Sequence, residues 1–554
     1  MWNSGPGRSG TLLSDRTHPG DVPLETPSRI VQELASRGYN AEREAVTLIA
    51  GASNPGAVLE ATVDRTPGDA LRITADTVRE VLEADPNSRD RTANDNPSVS
   101  TGTPIENPPD DGQLSPVETK GSSDRGSGRS SREPSKSRDP SKSRDPSKSR
   151  DPSRRSIEVA GDITGRSTGT GTYDDFVAVF RDRFEKLSKK LRNRVNHRPA
   201  ETISAMSGGT DVELIGLVNE IRSTSGGHWI VELEDTTGTF PCLVMNDRDI
   251  VELVDDLLLD ECIAVSGTLS DDGEIVFVDA IHFPDVPRSY RPSTADRHVQ
   301  AALISDVHVG SQEFAADAWH RFTDWLHSEE AESVEYLLIA GDMVEGVGVY
   351  PNQDEELSIV DIYDQYERFA EYLKEVPGDM EIVMIPGNHD AVRLAEPQPG
   401  FDEELREIMS AHDARIYGNP ASVTIEGVTV LMYHGVSLDE LIAELPEEKA
   451  SYEEPHRAMY QLLKKRHVAP QYGGHMRLAP ETEDYLVIEE IPDVFHTGHV
   501  HKLGWGKYHN VLAVNSGCWQ EQTAFQKSVN IDPDYGYAPI LDLDTLELTV
   551  RKFV

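Results

Sequence analysis

Five short apolar runs in roughly the last 250 residues of the chain each end in a polar cluster rich in His, Asp or Asn. Short apolar runs bounded by turn residues are typical of buried strands. In a layered α/β domain, side chains at the carboxyl ends of adjacent strands converge at one edge of the sheet. The pattern therefore predicts a single polar site built from Ser305–His308, Gly341–Asp342, Pro386–Asp390, Tyr433–Gly435 and Gly498–His501.

The residue types in these clusters favour a metal site, because divalent ions bind carboxylate, imidazole and amide groups. Asp306 and His308 are two residues apart and can reach one ion, whereas His499 and His501 can face two different ions. Asp342, which stands alone after a glycine, is well placed to bridge them. Two metals about 3.5–4 Å apart can activate water and bind both the attacking and the leaving oxygen of a phosphoryl group. Any one cluster alone is explained as a helix cap or a turn.

Composition narrows the function less than the motifs do. The formal net charge is 53 − 97 = −44, which argues against nucleic-acid binding because phosphates repel acidic surfaces. The same excess is typical of proteins from high-salt cytoplasm, where molar salt screens charges within ~3 Å. Cys242, Cys262 and Cys518 form no C-x-x-C pair and exclude a disulfide scaffold. We expect a soluble cytoplasmic protein, since neither a signal peptide nor a membrane helix is visible.

The first 171 residues predict a small helical domain, 1–84, and a disordered linker, 85–171. A six-residue repeat, PSKSRD, fills residues 134–151, and the 131–155 stretch has nine Lys or Arg against four acids. Such low complexity indicates a solvated spacer, with a basic tether for DNA as the alternative. Helical spacing in the first domain is found at Pro27–Arg37, Glu42–Ala50, Gly56–Val63 and Thr74–Ala84.

A basic amphipathic helix is predicted within 172–200, at Tyr173–Arg198. From Arg181 to Arg198 there are eight Lys or Arg and two acids, a local charge of +6 in an acidic chain. This face either contacts a partner subunit or a nucleic-acid backbone, or is simply solvated.

Residues 201–290 change to the period-two pattern of short strands. Five strands, with a helical stretch at Asp249–Leu258 between the third and fourth, follow the order of an OB-fold barrel. Such barrels often bind single-stranded nucleic acid through aromatic and cationic side chains. The visible candidates here are few, namely Trp229, Phe240 and Arg222. A role of the barrel as a packing platform is equally compatible with the sequence. The predicted strands are Val212–Val218, His228–Leu233, Thr239–Met245, Cys262–Thr268 and Glu274–Ile281.

The order D-x-H, GD, GNHD, strand-end His and GHxH resembles the calcineurin-like metallophosphoesterases over roughly residues 299–520. The resemblance implies a four-layer α/β/β/α sandwich for the domain 291–554. It also implies that His389 protonates the leaving oxygen and that Asp390 orients His389. The implied metal ligands are Asp306, His308 and His501 for one ion, Asn388, His434 and His499 for the other, and Asp342 as the bridge.

An OB-fold ahead of a phosphoesterase resembles the small, B-type subunits of replicative DNA polymerases. The stretches 348–353, 465–470 and 516–520 resemble the archaeal D-family subunits, here of a halophile. This resemblance implies a proofreading 3′→5′ exonuclease with two divalent ions, Mn²⁺ before Mg²⁺ or another divalent ion. The implied partners are the polymerase large subunit, single-stranded and primer-template DNA, and the sliding clamp, with no membrane.

Two other hypotheses remain open. Eukaryotic relatives have lost the ligands and act as scaffolds, so this chain could be a scaffold with a structural metal site. A stand-alone repair nuclease or small-molecule phosphodiesterase is the other, although neither needs the barrel or the helical domain. His467 and His475 are expected to be structural, and Trp505, Tyr508 and Arg393 are candidate DNA contacts. Polymerase activity is not expected, because no second carboxylate constellation is present.

Overall fold

The computed structural model describes residues 30–84 and 155–554. Short gaps interrupt these ranges at 31–32, 35–36, 38, 42, 53, 67–71, 168, 170, 351–352, 411–413, 474–475 and 529–530. The PSKSRD repeats and His475 lie outside the described residues. Within those residues, no helix is both long and apolar enough to cross a membrane.

Within the described residues between 43 and 84, three helices pack on one hydrophobic cluster, close to where the sequence predicts them. The middle helix begins at Pro55, and the Asn54 side chain caps it by accepting a hydrogen bond from the Ala57 N–H at 3.2 Å. Leu59 and Ile73 are fully buried in the shared cluster. The elements are β1 (Asn40–Ala41), α1 (Arg43–Ala50), α2 (Pro55–Arg65), β2 (Arg72–Ile73) and α3 (Ala75–Ala84).

The region after α3 differs from the predicted linker near its end. Ile157–Ala160 forms a strand, β3, which pairs antiparallel with a strand at Ala421–Ile425. Its alternating pattern places Ile157 and Val159 against the hydrophobic cluster between two sheets. Four residues of period-two pattern were too short a signal to separate from the low-complexity segment before them.

The predicted basic helix is α4, Tyr173–Leu191, and it ends seven residues earlier than expected. Several of its basic side chains form ion pairs with acidic residues from other parts of the chain. The Arg183 side chain is fully buried and pairs with Asp484 at 2.7 Å, and Lys186 contacts Glu483 at 3.1 Å. The apolar face packs with barrel residues in a common cluster. These contacts favour internal packing over the nucleic-acid or partner alternatives for much of this face.

After the short helix α5 (Ala200–Ile203), five strands close into a barrel of order β4-β5-β6-β8-β7, with β4 also paired to β7. The predicted strands are all present, and the predicted helical stretch is a 3₁₀ helix at Asp249–Asp256. Small residues allow close strand contacts: a Cβ at Gly216 would lie 2.8 Å from that of Leu233. The strands are β4 (Asp211–Ser223), β5 (Trp229–Asp235), β6 (Gly238–Val244), β7 (Cys262–Leu269) and β8 (Val276–His282).

The chain after the barrel forms two six-stranded sheets together with β3. The first sheet has the order β12-β11-β10-β9-β18-β19, and the second has the order β16-β17-β15-β14-β13-β3. Their strands are β9 (Gln300–Ile304), β10 (Val334–Ala340), β11 (Glu381–Ile385), β12 (Arg415–Ile416), β13 (Ala421–Ile425), β14 (Val428–Met432), β15 (Val494–Thr497), β16 (Leu503–Tyr508), β17 (Val511–Ser516), β18 (Tyr537–Asp542) and β19 (Glu547–Lys552).

Helices cover the faces of the two sheets. Alternate residues of β9 show the arrangement: Leu303 belongs to a cluster shared by both sheets, whereas Ile304 packs with helices of the first sheet. Leu431 of β14 packs in a separate cluster with helices of the second sheet. The helices are α6 (Ala316–Leu326), α7 (Ile362–Leu373), α8 (Glu403–Ile408), α9 (Ser437–Glu444), α10 (Pro455–Lys465) and α11 (Ala524–Ser528). The domain is therefore mixed α/β, with two stacked sheets at its centre.

Candidate metal centre

The five polar clusters follow strands that are neighbours in the two sheets. Parallel strands β9, β10 and β11 lie side by side in the first sheet, and parallel strands β14 and β15 lie side by side in the second. Because their carboxyl ends point the same way within each sheet, the loops after them meet. The Gly498 N–H donates to the His434 carbonyl at 2.8 Å, and the Asp306 N–H donates to the Gly341 carbonyl at 3.0 Å. The site is thus assembled by backbone hydrogen bonds between loops.

Backbone conformation at the site is unusual. Five of the twelve non-glycine residues with positive φ among the described residues are predicted metal ligands. Each such conformation costs about 1–3 kcal/mol and persists only where surrounding structure enforces it. Concentration of this strain in one site indicates function rather than stability. The five ligands are Asp306, His308, Asp342, His499 and His501.

Glycines beside the ligands permit this close packing. A Cβ added at Gly387 would collide with the Asp342 carboxylate, and one at Gly498 would collide with the Asp306 carboxylate. A Cβ at Gly341 would meet the His434 ring. The glycines of the GD, GNHD and GHxH motifs are therefore required by the space that the carboxylates and imidazoles occupy.

One group of possible ligand atoms comprises Asp306, His308 and His501, all of which are buried. The His501 Nε2 lies 3.4 Å from Asp306 Oδ1, and the His308 Nε2 lies 3.9 Å from the same oxygen. The two Nε2 atoms are 3.0 Å apart. This is the set that the sequence predicts for one ion.

A second group comprises Asp342, His434 and His499. The His434 Nε2 lies 3.1 Å from Asp342 Oδ2 and 3.0 Å from Asn388 Oδ1. Asp342 Oδ2 is also 3.8 Å from the His308 Nε2 of the first group. Asp342 therefore lies between the two groups, where a bridging ligand is expected.

Outer hydrogen bonds orient several of the rings, as is usual for metal-binding histidines. The His308 Nδ1 lies 2.9 Å from Glu345 Oε2, and the His434 Nδ1 donates to the Ala340 carbonyl at 2.9 Å. The His499 Nε2 lies 3.0 Å from Asp439 Oδ2. Glu345 was not predicted from the sequence, although an acid three residues after Asp342 in the same segment was a usable signal.

His389 lies beside the centre, but its orienting partner differs from the expected one. Its Nδ1 donates to the Glu345 carbonyl at 2.7 Å, and its ring lies 4.8 Å from the His308 ring. Asp390 instead accepts hydrogen bonds from the Tyr366 hydroxyl at 2.9 Å and the Gly387 N–H at 2.8 Å. Asp390 thus ties the GNHD loop to its surroundings through both of its carboxylate oxygens.

The carboxylates and imidazoles of the centre shift one another's pKa values. Burial alone would raise the pKa of Asp306, but His308 and His501 hold that pKa well below its usual range. Burial opposes the charge on His434 as well, yet Asp342 raises the His434 pKa to about 10. The carboxylates therefore create a site that favours positive charge.

This donor set fits divalent metal ions. The Nε2 atoms of His308 and His501 lie 3.0 Å apart, and both face the Asp306 carboxylate. Only one of these two nitrogens can carry a proton in the space between them. A cation held at that point would satisfy both nitrogens and neutralise the carboxylates. The centre can hold such ions in two groups, and Asp342 of the second group lies within 3.8 Å of His308 of the first.

Other residues considered from sequence lie elsewhere. His467 is buried and bonds Asp484 at 3.0 Å, and Arg393 pairs with Glu481 at 2.7 Å, so both have structural partners. Tyr508 stacks on Tyr460, and Trp505 is about half exposed on the edge strand β16. None of these residues belongs to the two ligand groups.

Fold and site together define a class: an α/β protein with a buried carboxylate–imidazole centre at the edge of two stacked sheets, able to bind divalent metals. A family model that describes the B subunits of DNA polymerases alpha and epsilon matches residues 301–503. The chain belongs to the archaeal D-family of polymerase small subunits, whose members are named DNA polymerase II small subunit.

The relatives differ in how much of the chain they match. A DNA polymerase II small subunit from Halobacterium salinarum is 63% identical over 534 residues, 96% of this chain and 100% of the relative. That of Archaeoglobus fulgidus is 45% identical over 386 residues, 68% of this chain and 77% of the relative. That of Pyrococcus furiosus is 40% identical over 387 residues, 67% of this chain and 62% of the relative. These comparisons confirm the predicted family, including its haloarchaeal branch.

Proposed function

We propose that this chain is a 3′→5′ exodeoxyribonuclease that proofreads as the small subunit of a D-family DNA polymerase. The observation that carries the proposal is the intact ligand set: five strand-end loops bring Asp306, Asp342 and their histidines into one buried centre. A chain that only served as a scaffold would have no need to keep five strained ligands. Its family name adds the polymerase large subunit as the expected partner.

The two-sheet domain is best assigned to the calcineurin-like phosphoesterases, and the barrel to the OB-fold. The strand order β4-β5-β6-β8-β7 with closure onto β4 is the observation behind the second assignment. We propose the domains 1–84, 85–171, 172–200, 201–290 and 291–554, except that Ile157–Ala160 of the second range joins a sheet of the last domain, which carries the reaction.

Two divalent ions, with Mn²⁺ expected, would supply the charge that activates water and stabilises the phosphoryl group. Asp306, His308 and His501 would hold one ion, Asn388, His434 and His499 the other, and Asp342 would contact both. The buried carboxylates keep their negative charge because their pKa values are low. Glu345 positions His308 through the Nδ1 contact at 2.9 Å.

His389 is the proposed acid. Its Nδ1–H is engaged by the Glu345 carbonyl at 2.7 Å, so a proton on Nε2 is the one available to substrate. As water attacks the terminal phosphodiester, the bond from phosphorus to the 3′ oxygen of the preceding nucleotide breaks. His389 Nε2 gives its proton to that oxygen, and a 5′-mononucleotide leaves.

The decisive experiment is degradation of a 5′-labelled single-stranded oligonucleotide by the full chain in high salt with Mn²⁺. We expect stepwise shortening that EDTA and Asp342→Ala abolish. Asp544→Ala is the matched control, because Asp544 belongs to a more exposed group of acids around His298 and should leave activity unchanged. Absence of cleavage, even after the large subunit is added, would overturn the proposal in favour of the scaffold hypothesis. Hydrolysis restricted to small phosphodiesters would favour the third hypothesis.

A further inference from the structure

An aromatic pair lies beside the candidate acid and has no role in the mechanism above. The rings of Tyr350 and Phe525 stack with centroids 5.5 Å apart and planes at 26°. Phe525 is 49% exposed, although it is a large apolar residue next to a polar centre. The Tyr350 ring lies 6.3 Å from the His389 ring.

The pair is anchored to the metal centre from two distant segments. The Tyr350 hydroxyl donates to Glu345 Oε1 at 3.1 Å, and the other oxygen of Glu345 lies 2.9 Å from the His308 Nδ1. Phe525 precedes Gln526, whose amide Nε2 donates to the His501 Nδ1 at 2.8 Å. Each ring is therefore held through a residue that bonds directly to a ligand of the first group.

We propose that the Tyr350–Phe525 pair is a stacking platform for the base on the 5′ side of the scissile phosphate. The inference rests on the proposed function. Each of the four nucleobases has a flat face that can stack on an exposed aromatic ring. Such stacking suits a nuclease that must accept every 3′ end. Stacked behind Phe525, Tyr350 stiffens the platform.

The position beside His389 selects which base is bound. His389 protonates the 3′ oxygen that leaves, and this oxygen belongs to the penultimate nucleotide rather than to the released one. Because the pair lies beside the acid, its exposed ring is placed for the base of the nucleoside that remains on the strand. Lys527, exposed on the same short helix α11, adds a positive charge for the adjacent backbone.

The test compares two 3′-labelled single strands with the full chain and Mn²⁺, one normal and one with a single abasic penultimate nucleotide. We expect the abasic site to slow the first cleavage by the unsubstituted chain about tenfold, chiefly through KM. Phe525→Ala should cleave both strands at the same reduced rate, and Phe525→Leu should behave similarly because it lacks a ring. Tyr173→Ala, which removes an exposed aromatic at the start of α4, is the control and should keep the tenfold difference.

A second readout separates this proposal from the nuclease itself. With EDTA present, 2-aminopurine at the penultimate position should be quenched on binding to the unsubstituted chain but not to Phe525→Ala. Quenching in EDTA together with no cleavage in Mn²⁺ would support the platform and refute the proposed function. Cleavage with an equal abasic penalty in both proteins would refute the platform alone, as would a penalty found only when the terminal base is removed.

Discussion

Two buried ionic clusters of this chain are built on opposite plans. In the metal centre, carboxylates and imidazoles from five loops direct their polar atoms at one another. In the second, which we call the junction cluster, Arg183 of α4 pairs with Asp484 at 2.7 Å, and His467 bonds the same carboxylate at 3.0 Å. The Leu486 N–H donates to the other Asp484 oxygen at 3.0 Å.

The difference lies in what completes each cluster. The junction cluster balances the charge of its carboxylate with a guanidinium from the chain itself, so this charge needs no added cation. In the metal centre, the partners of the Asp306 and Asp342 carboxylates in the described ion pairs are histidines. Burial, polarity and perturbed pKa values are common to both clusters, so none of them alone identifies a functional site.

The largest expected effect comes from removing one charge of the metal centre. Asp306→Asn keeps the size of the side chain but removes the carboxylate that both His308 and His501 face. We expect the proposed exonuclease activity to fall by about three orders of magnitude, because ion binding and charge stabilisation fail together. Asp484→Asn, the same change in the junction cluster, should leave the rate per folded molecule unchanged. Comparable losses in the two variants would show that the centre acts only through folding.

For the free energy of unfolding, we expect a large loss from a substitution in the junction cluster. Arg183→Met leaves the Asp484 charge buried without its guanidinium, and breaking a buried ion pair costs about 3–5 kcal/mol. Denaturant unfolding measures the loss. Lys189→Ala on the same helix is the matched control, because Lys189 and Glu185 are more than half exposed and water screens the attraction between them. Equal effects of the two substitutions would show that the junction cluster contributes no more than a surface pair.

Sequence alone predicted the loops of the metal centre but not the junction cluster. The D-x-H and GHxH motifs are local, and their strand-end positions bring them together by topology. Arg183 and Asp484 are 301 residues apart, and nothing near either residue marks the pairing. The charge of α4 was visible, but its partners are scattered over loops with no periodic signal, so a buried contact resembled a solvated face.

The fold shows the same limit. Barrel strands and helices were located from period and turn residues, because these are local properties. The role of Asp390 was wrong in detail, since neighbouring residues in a tight turn point to different sides and only the structure shows that His389 bonds the Glu345 carbonyl. Strand β3 was missed because it is stable only as an edge of a sheet formed by residues far along the chain.

Acid should weaken the junction cluster in a defined range. The Ala469 N–H donates to the His467 Nδ1 at 3.0 Å, so the ring is neutral with its proton on Nε2. Burial and the nearby Arg183 lower the His467 pKa to about 4, from an ordinary value near 6.5. The unfolded chain thus binds the proton first, and the free energy of unfolding should fall by about 3 kcal/mol as pH drops from 6.5 to 4.

The measurement is a series of denaturant unfolding curves across this pH range for the unsubstituted chain and His467→Gln. Since other groups titrate too, the prediction concerns the difference between the two proteins. That difference should shrink on acidification, because the variant has no imidazole to protonate at this position. A difference independent of pH would contradict the assigned neutral state of His467.

The smallest expected effect distinguishes the clusters by what they bind. Mn²⁺ at about 100 times its dissociation constant should stabilise the chain by about 2.7 kcal/mol, and EDTA should reverse the gain. Asp306→Asn should lose this increment, whereas Asp484→Asn should start from a lower stability and gain as much as the unsubstituted chain. A metal that only screened the acidic surface would stabilise all three proteins equally. An increment confined to the two proteins with an intact centre would show that a cation completes one cluster and that the other is complete without it.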